Sequence, residues 1–429
     1  MPRTEHADLV VVGAGSAGCA AAVAAGRRGL DVILVERYGF PGGTGAMVLD
    51  TFYGFFIPGR DVRRVVGGIG WELVEQLRAT GDAIERPNTY GAGTGVTYNP
   101  EVLKVTWERL LALAGVRVFY HRLVTAAEAT DGRLRRLRTN GKGEEVWLES
   151  PWFIDASGDG DLAWMSGVPY ETRHLEERKV QSLTTTFRLV NVDTNVAISV
   201  KHDDLVALME GARREGYDLP RREGSIHRTP VPGVMAANMT RVSEVNPLDP
   251  WDLANAEAAG RAQAMEYIRF LVDRVPGYVH AKLGFLSTQI GVRESRRIDG
   301  AYCLTAEDVL SARQFSDQIA LCGAPIEEHH SGDDTRWKYV PEGSTYGIPW
   351  RCLAPRNVDN LVVAGRCLSA THDAHASVRS MAQCMAMGQA AGTAISMLPH
   401  DGAIRSVDVH ALQAQLTADG SLVKEGANG

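Results

Sequence analysis

Two groups of residues in this chain have the side chains and spacing to do chemistry. The first is Gly13, Gly15 and Gly18 together with Glu36. Gly13 permits a tight strand-to-helix turn, Gly15 lets backbone approach a pyrophosphate, and Gly18 lets the next helix lie close on a sheet. The N-terminus of that helix offers unpaired N–H groups and a positive dipole end. Glu36 can accept both hydroxyls of an adenosine ribose and repels a 2′-phosphate, which selects FAD or NAD over NADP. The second group is the run Ala370-Thr-His-Asp-Ala-His-Ala-Ser-Val-Arg379. Neutral His372 or His375 can take a proton, or can instead satisfy backbone groups at a turn. Arg379 either clamps a substrate carboxylate or pairs with a surface acid.

The elements that must position these groups are legible around them. Leu9–Val12 and Val32–Val35 read as buried strands on either side of a small-residue helix, a β-α-β unit. A glycine-rich loop, 39–45, follows, then the aromatics Phe52, Tyr53, Phe55 and Phe56, read as core before substrate box. Residues 67–80 and 100–114 read as amphipathic helices, the second capped by Asn99-Pro100. Short strands are expected at 116–120, 123–129, 134–139 and 145–148, with a turn at Thr130-Asp131-Gly132. Trp152–Asp155 and Leu361–Val363 are further apolar strands running into glycine. In a parallel sheet the three strand-to-glycine junctions open on one edge, and one extended ligand touching all three is the economical reading. NAD usually needs only the first junction, whereas FAD uses several.

Between about 169 and 290 prolines break the pattern and a long helix is expected at 252–273, a substrate or cap domain of α+β type set into the cofactor fold. The expected division is 1–168 and 291–410 for the cofactor domain, 169–290 for the cap, and 411–429 for a polar, frayed tail. Residues 378–398 read as one apolar helix. Arg293, Glu294, Arg296 and Arg297 read as an ion-pair cluster at a domain seam, with anion binding the competing reading. Glu327-Glu-His-His330 invites a metal site, but adjacent residues rarely face one ion, so a solvated loop is expected and no metal. Cys384 reads as a small buried hydrophobe.

Lys and Arg number 45 against 52 Asp and Glu, a net charge of −7, which argues against nucleic acid or an anionic membrane surface as partner. The six cysteines are scattered with no Cys-x-x-Cys pair, as expected of reduced thiols in the cytoplasm. No signal peptide fits the first residues, and no apolar run reaches membrane-spanning length.

Several motifs together resemble the FAD-dependent oxidoreductases of glutathione-reductase-like fold, the broad bacterial group of that name. They are Val12-Gly-Ala-Gly-Ser-Ala-Gly18, Pro41-Gly-Gly-Thr44, Asp155-Ala-Ser-Gly-Asp-Gly-Asp161 and Gly291-Val-Arg-Glu-Ser-Arg-Arg297, then Ile348–Leu353, Leu361–Arg366 and Arg379–Gly392. The resemblance covers both ends of the chain and leaves about 170–285 unmatched. It implies an α/β, three-layer, Rossmann-like FAD-binding domain. Gly13, Gly15, Ser16 and Gly18 would hold the pyrophosphate, Glu36 the adenosine ribose, and Arg37 the adenine half. Gly43 and Thr44 would lie along the phosphate and ribityl chain, and backbone at Val124 would meet the adenine. Asp155 and Gly158 would close the site near the diphosphate, with Gly365 and Arg366 between diphosphate and ribityl. His372 and His375 would border the flavin, and the helix after them would point its N-terminus at the pyrimidine side.

The function expected on this basis is hydride transfer between a small organic substrate and flavin N5, with reoxidation by oxygen or a separate redox partner. A flavin monooxygenase fed by external NAD(P)H is the alternative. It is weakened because the Asp-Gly…Ser…Arg pattern of aromatic hydroxylases and the Trp-x-Trp-x-Ile-Pro run of flavin halogenases are missing. A flavin-containing nucleic-acid-modifying protein is a second alternative. No second Gly-x-Gly-x-x-Gly follows a strand, so a built-in nicotinamide domain is not expected.

Overall fold

The computed structural model describes residues 3–60, 62–329 and 335–426. Its centre is a five-stranded parallel sheet of β1 (Leu9–Val12), β2 (Val32–Val35), β3 (Arg117–Phe119), β4 (Trp152–Asp155) and β5 (Leu361–Val363), in the order β5-β4-β1-β2-β3. Side chains alternate across a strand, so each strand feeds two cores. Leu9, Val11, Val32, Leu34, Trp152, Ile154 and Val362 face a helical layer. Val10, Val12, Ile33, Val35, Phe153, Leu361 and Val363 face a four-stranded sheet built from Arg3–His6, Leu123–Thr130, Arg133–Asn140 and Val146–Glu149. Burial on both faces explains why these strands read as unbroken apolar runs. The result is three layers, helices over parallel sheet over antiparallel sheet.

Two helices of the helical layer aim at the site: α1 (Ser16–Arg27) and α3 (Met381–Ile395). They touch backbone to backbone. A Cβ at Gly388 would sit 2.0 Å from the Ala17 carbonyl oxygen, and one at Gly392 would sit 2.1 Å from that of Ala21. This matched register means the helices run the same way. At 1.5 Å per residue, α3 begins about 10 Å beyond Ala17, past the glycine turn. The expected single helix over 378–398 is divided. A shorter α2 (His372–Val378) comes first, and the chain turns at Arg379 and Ser380 before α3 starts.

A second core, drawn from residues between 187 and 281, gathers Phe187, Tyr267, Phe270 and Tyr278. It packs the antiparallel sheet of Ser225–Arg228, Met235–Asn238, Phe187–Val190 and Lys282–Leu286 under the helices His202–Arg214 and Pro250–Arg274. The end of the chain departs from the expected frayed tail. Val409–Ala418 is a helix capped by Asp408, with Leu412 and Leu416 buried in the main core beside Val423. Two leucines one turn apart form a narrow apolar stripe, easily missed among polar neighbours. Among the described residues, no helix is long and apolar enough to cross a membrane.

Candidate active site

β1, β4 and β5 end at one level, Asp155 opposite both Val12 and Val363. Their three glycine turns therefore open on the same edge, as the spacing implied. A cleft of about 700 Å³ starts there, within the range of cofactor-sized sites. Gly13, at φ +95°, lies so near β4's turn that a Cβ would be 2.5 Å from the Ala156 carbonyl oxygen. A Cβ on Gly43 would be 2.7 Å from the Gly15 Cα. Side chains are thus kept out of the entrance by backbone contact. Gly15 caps α1 without any side chain, and no acid stands in its first turn, which leaves the first N–H groups open for a diphosphate.

Most of the expected cofactor residues wall this cleft: Gly13, Gly15 and Ser16, then Glu36 and Arg37, and Gly43 and Thr44. Gly158, Gly365 and Arg366 join them from the other two turns. Glu36 is buried, its carboxylate accepting from Ala14 N at 2.8 Å and Tyr38 N at 2.9 Å, and burial raises its pKa. Arg366 donates to Asp159 at 2.6 Å and to Ser295 Oγ at 2.9 Å.

Three of the expected residues act from behind the wall. Gly18 lies under Gly13, where a Cβ would overlap its carbonyl oxygen. Asp155 is fully buried and braces the second turn, accepting from Ser157 N and Oγ and from Ala163 N at 2.7–2.9 Å. Val124 is buried in the antiparallel layer and does not reach the cleft.

The histidines are the main correction. Neither His372 nor His375 lines the cleft. His372 Nδ1 lies 2.8 Å from the buried Glu294 carboxylate and its ring stacks on His174 at 4.7 Å. His375 donates through Nε2 to the Arg366 carbonyl at 2.7 Å, and burial holds its pKa down to about 3. The break before α3 puts both imidazoles on a separate helix, α2, from which Ala376 and neither histidine reaches the cleft. Arg379, at that break, does line it, with Ser380 and Met381 of the α3 N-terminus.

The chemistry at this end comes instead from the stretch read as a solvated loop. Ile326–Glu328 is a strand paired with Arg336–Lys338. Glu327 on this strand and His329 just past its end both line the cleft. His329 Nδ1 faces the Arg241 guanidinium, a donor, at 3.4 Å, so Nε2 carries the proton and donates to Glu327 Oε1 at 2.9 Å. Burial, then the Arg293 charge, push the His329 pKa down to about 3. Burial favours the neutral acid at Glu327, but His329, Arg379 and Arg293 outweigh it and hold the carboxyl at about 2. The pair is a carboxylate held by a neutral imidazole. The i, i+2 spacing of Glu327 and His329 was the signal available in the sequence. His330 lies outside the described residues, and among those residues no cluster could hold a metal ion.

Glu327 and His329 stand, with Tyr53 and Asn238, where the cleft meets a second chamber of about 530 Å³. Of the aromatic run, Phe52 and Phe55 are core, and Tyr53 alone faces both spaces. The seam cluster divides similarly. Glu294, Arg296 and Arg297 are ion-paired, Arg296 to Asp161 and Arg297 to Glu294 and Glu171; Arg293 and Arg296 both line the cleft, Arg293 with no ion pair among the described residues. Cys384 is buried as expected, yet its side chain also meets the cleft wall.

A three-layer fold whose sheet edge forms a backbone-walled cleft for a long dinucleotide defines a flavoenzyme class. A family model described as FAD dependent oxidoreductase matches residues 8–416, and the chain belongs to that family, with FAD its cofactor. A flavin-dependent brominase, Bmp2, superposes at TM-score 0.50 and 15% identity, over 96% of this chain and 83% of that one. A flavoprotein/dehydrogenase from Cytophaga hutchinsonii gives 0.49 and 15%, over 97% and 86%. A geranylgeranyl bacteriochlorophyll reductase-like protein from Thermoplasma acidophilum gives 0.47 and 14%, over 97% and 83%. At such identities the likeness is one of fold, and the brominase superposition is the one that carries it. No curated protein matches the chain significantly.

Proposed function

We propose that this oxidoreductase removes a hydride from a small organic substrate, with Glu327 accepting the accompanying proton. The observation that carries the reading is the Glu327–His329 pair at the meeting of the cleft and the second chamber. Bound FAD supplies the hydride acceptor at N5 and is returned to its oxidised form by oxygen or a separate redox partner. Glu327 Oε1 is engaged by His329, which leaves Oε2 as the acceptor for the substrate proton. His329 is a positioning residue, fixing the carboxylate's orientation without itself taking charge. The N-terminus of α3, at Ser380 and Met381, directs its positive end into the cleft and favours negative charge developing there. The mild net negative charge fits a small-molecule substrate better than nucleic acid.

The test is anaerobic mixing of the FAD-loaded protein with a panel of alcohols, amines and saturated acids. Bleaching of the flavin band by at least one member, without nicotinamide, is the expected result. Reduction only by NAD(P)H, followed by oxygen-dependent hydroxylation, would replace this reading with a monooxygenase.

A further inference from the structure

Three arginines at the seam between cleft and second core have a carboxylate within ion-pair distance. Arg366 has Asp159, Arg296 has Asp161, and Arg297 has Glu294 and Glu171. Arg293 and Arg379 are different. Both line the cleft beside Glu327, and neither has an ion-pair partner among the described residues. Arg293 donates to the Ser182 carbonyl oxygen at 2.5 Å, and Arg379 leaves Nε and Nη2 buried without a hydrogen-bond partner. Holding two guanidinium ions in one cleft wall with neither in a direct ion pair is costly, and such a pair persists where a ligand completes it.

From this geometry we infer that the substrate is a small monocarboxylate, its carboxylate held by Arg293 and Arg379. The inference rests on the reading of this cleft end as the substrate site. A guanidinium presents its donors as a planar fork that matches a carboxylate two bonds at a time, which a lysine would not. Glu327 stands beside both guanidinium groups and offsets part of their charge. A monoanion is accommodated there, whereas a phosphate dianion faces stronger repulsion from Glu327.

The same contact bears on the proton transfer. The groups that hold the Glu327 carboxyl low are His329, just past the end of its strand, and Arg379 and Arg293 from the neighbouring segments. A bound carboxylate offsets the two guanidinium charges and raises the proton affinity of Glu327, so the base strengthens when the site is filled.

The test needs no turnover. Oxidised, FAD-loaded protein is titrated with acetate and benzoate, with acetamide and benzamide as neutral counterparts, and with inorganic phosphate. Binding is read from the shift in the flavin spectrum and by calorimetry. The carboxylates are expected to bind and the amides to bind at least roughly 30-fold more weakly. Arg293→Gln and Arg379→Gln are expected to lose a similar factor while retaining FAD, with part restored by Arg379→Lys. Amides binding as well as carboxylates, phosphate binding tighter than both, or unchanged carboxylate affinity in both Gln variants would overturn the inference. The wild-type comparison of acid with amide stands even if a variant does not fold. Bleaching by substrates that lack a carboxylate would remove the anion site and leave the hydride reading intact. Tight carboxylate binding with no bleaching by any compound would do the reverse.

Discussion

The two ends of the cleft are made of different material. At the adenosine end the walls are main chain: Gly13, Gly15 and Gly43 pack so closely that Cβ atoms would lie within 2.7 Å of neighbouring backbone at Gly13 and Gly43. At the other end the walls are side chains, Arg293, Glu327, His329 and Arg379, brought from three separated segments. A backbone-made site depends on residues being absent, and absence at fixed spacing is visible in one short stretch. A side-chain-made site depends on residues meeting across the fold, and no stretch contains it. Under the proposed function the first holds the family's cofactor and the second sets the choice of reaction.

The sharpest way to break this contrast is at Gly13. Gly13→Ala puts a methyl against the Ala156 carbonyl and requires a positive φ of an L-residue. FAD affinity is expected to fall at least ~100-fold, giving a folded but colourless protein. Yellow protein with wild-type flavin content would show that the turn is not what grips the diphosphate.

His329→Leu should act on the other end alone. It leaves flavin content untouched, removes the Nε2–H that orients Glu327, and slows anaerobic bleaching about 10- to 100-fold. A purely structural role for His329 would instead lower Tm without moving that rate. Gly388→Ala probes the scaffold common to both ends, since its Cβ would overlap the Ala17 carbonyl. A loss of about 1–3 kcal/mol in urea unfolding is expected, with flavin loss following rather than preceding it.

The smallest effect concerns His372. Burial opposes its charge, but the hydrogen bond and charge of Glu294 outweigh it and raise its pKa above 6.5. A raised folded pKa means its stabilisation is complete below 6.5 and is lost as pH climbs through the folded value. Tm should therefore fall modestly from pH 6.5 upward, and His372→Gln should flatten that slope. An unchanged slope in the variant would mean another group titrates there.

These positions also show where the sequence could be read and where it could not. The β-α-β unit, the helix cap at Asn99 and the three aligned glycine turns were legible because local spacing and apolar runs report directly on strands buried on both faces. His372 and His375 misled because residue type pointed to chemistry while orientation was set by a helix break at Arg379–Ser380 that composition does not reveal. Glu327 and His329 were passed over because a charged stretch reads as solvent-facing until its strand pairing is known. The helix at Val409–Ala418 was missed for want of a wide apolar face, its burial resting on Leu412 and Leu416.

The most direct test of the division between the two ends is the anaerobic bleaching rate of FAD-loaded Glu327→Gln beside the wild type, using any compound that bleaches the latter. A full complement of flavin with bleaching slowed at least ~100-fold is the predicted result. Bleaching at the wild-type rate, with flavin fully bound, would contradict the assignment of the proton to Glu327 and with it the account of the substrate end.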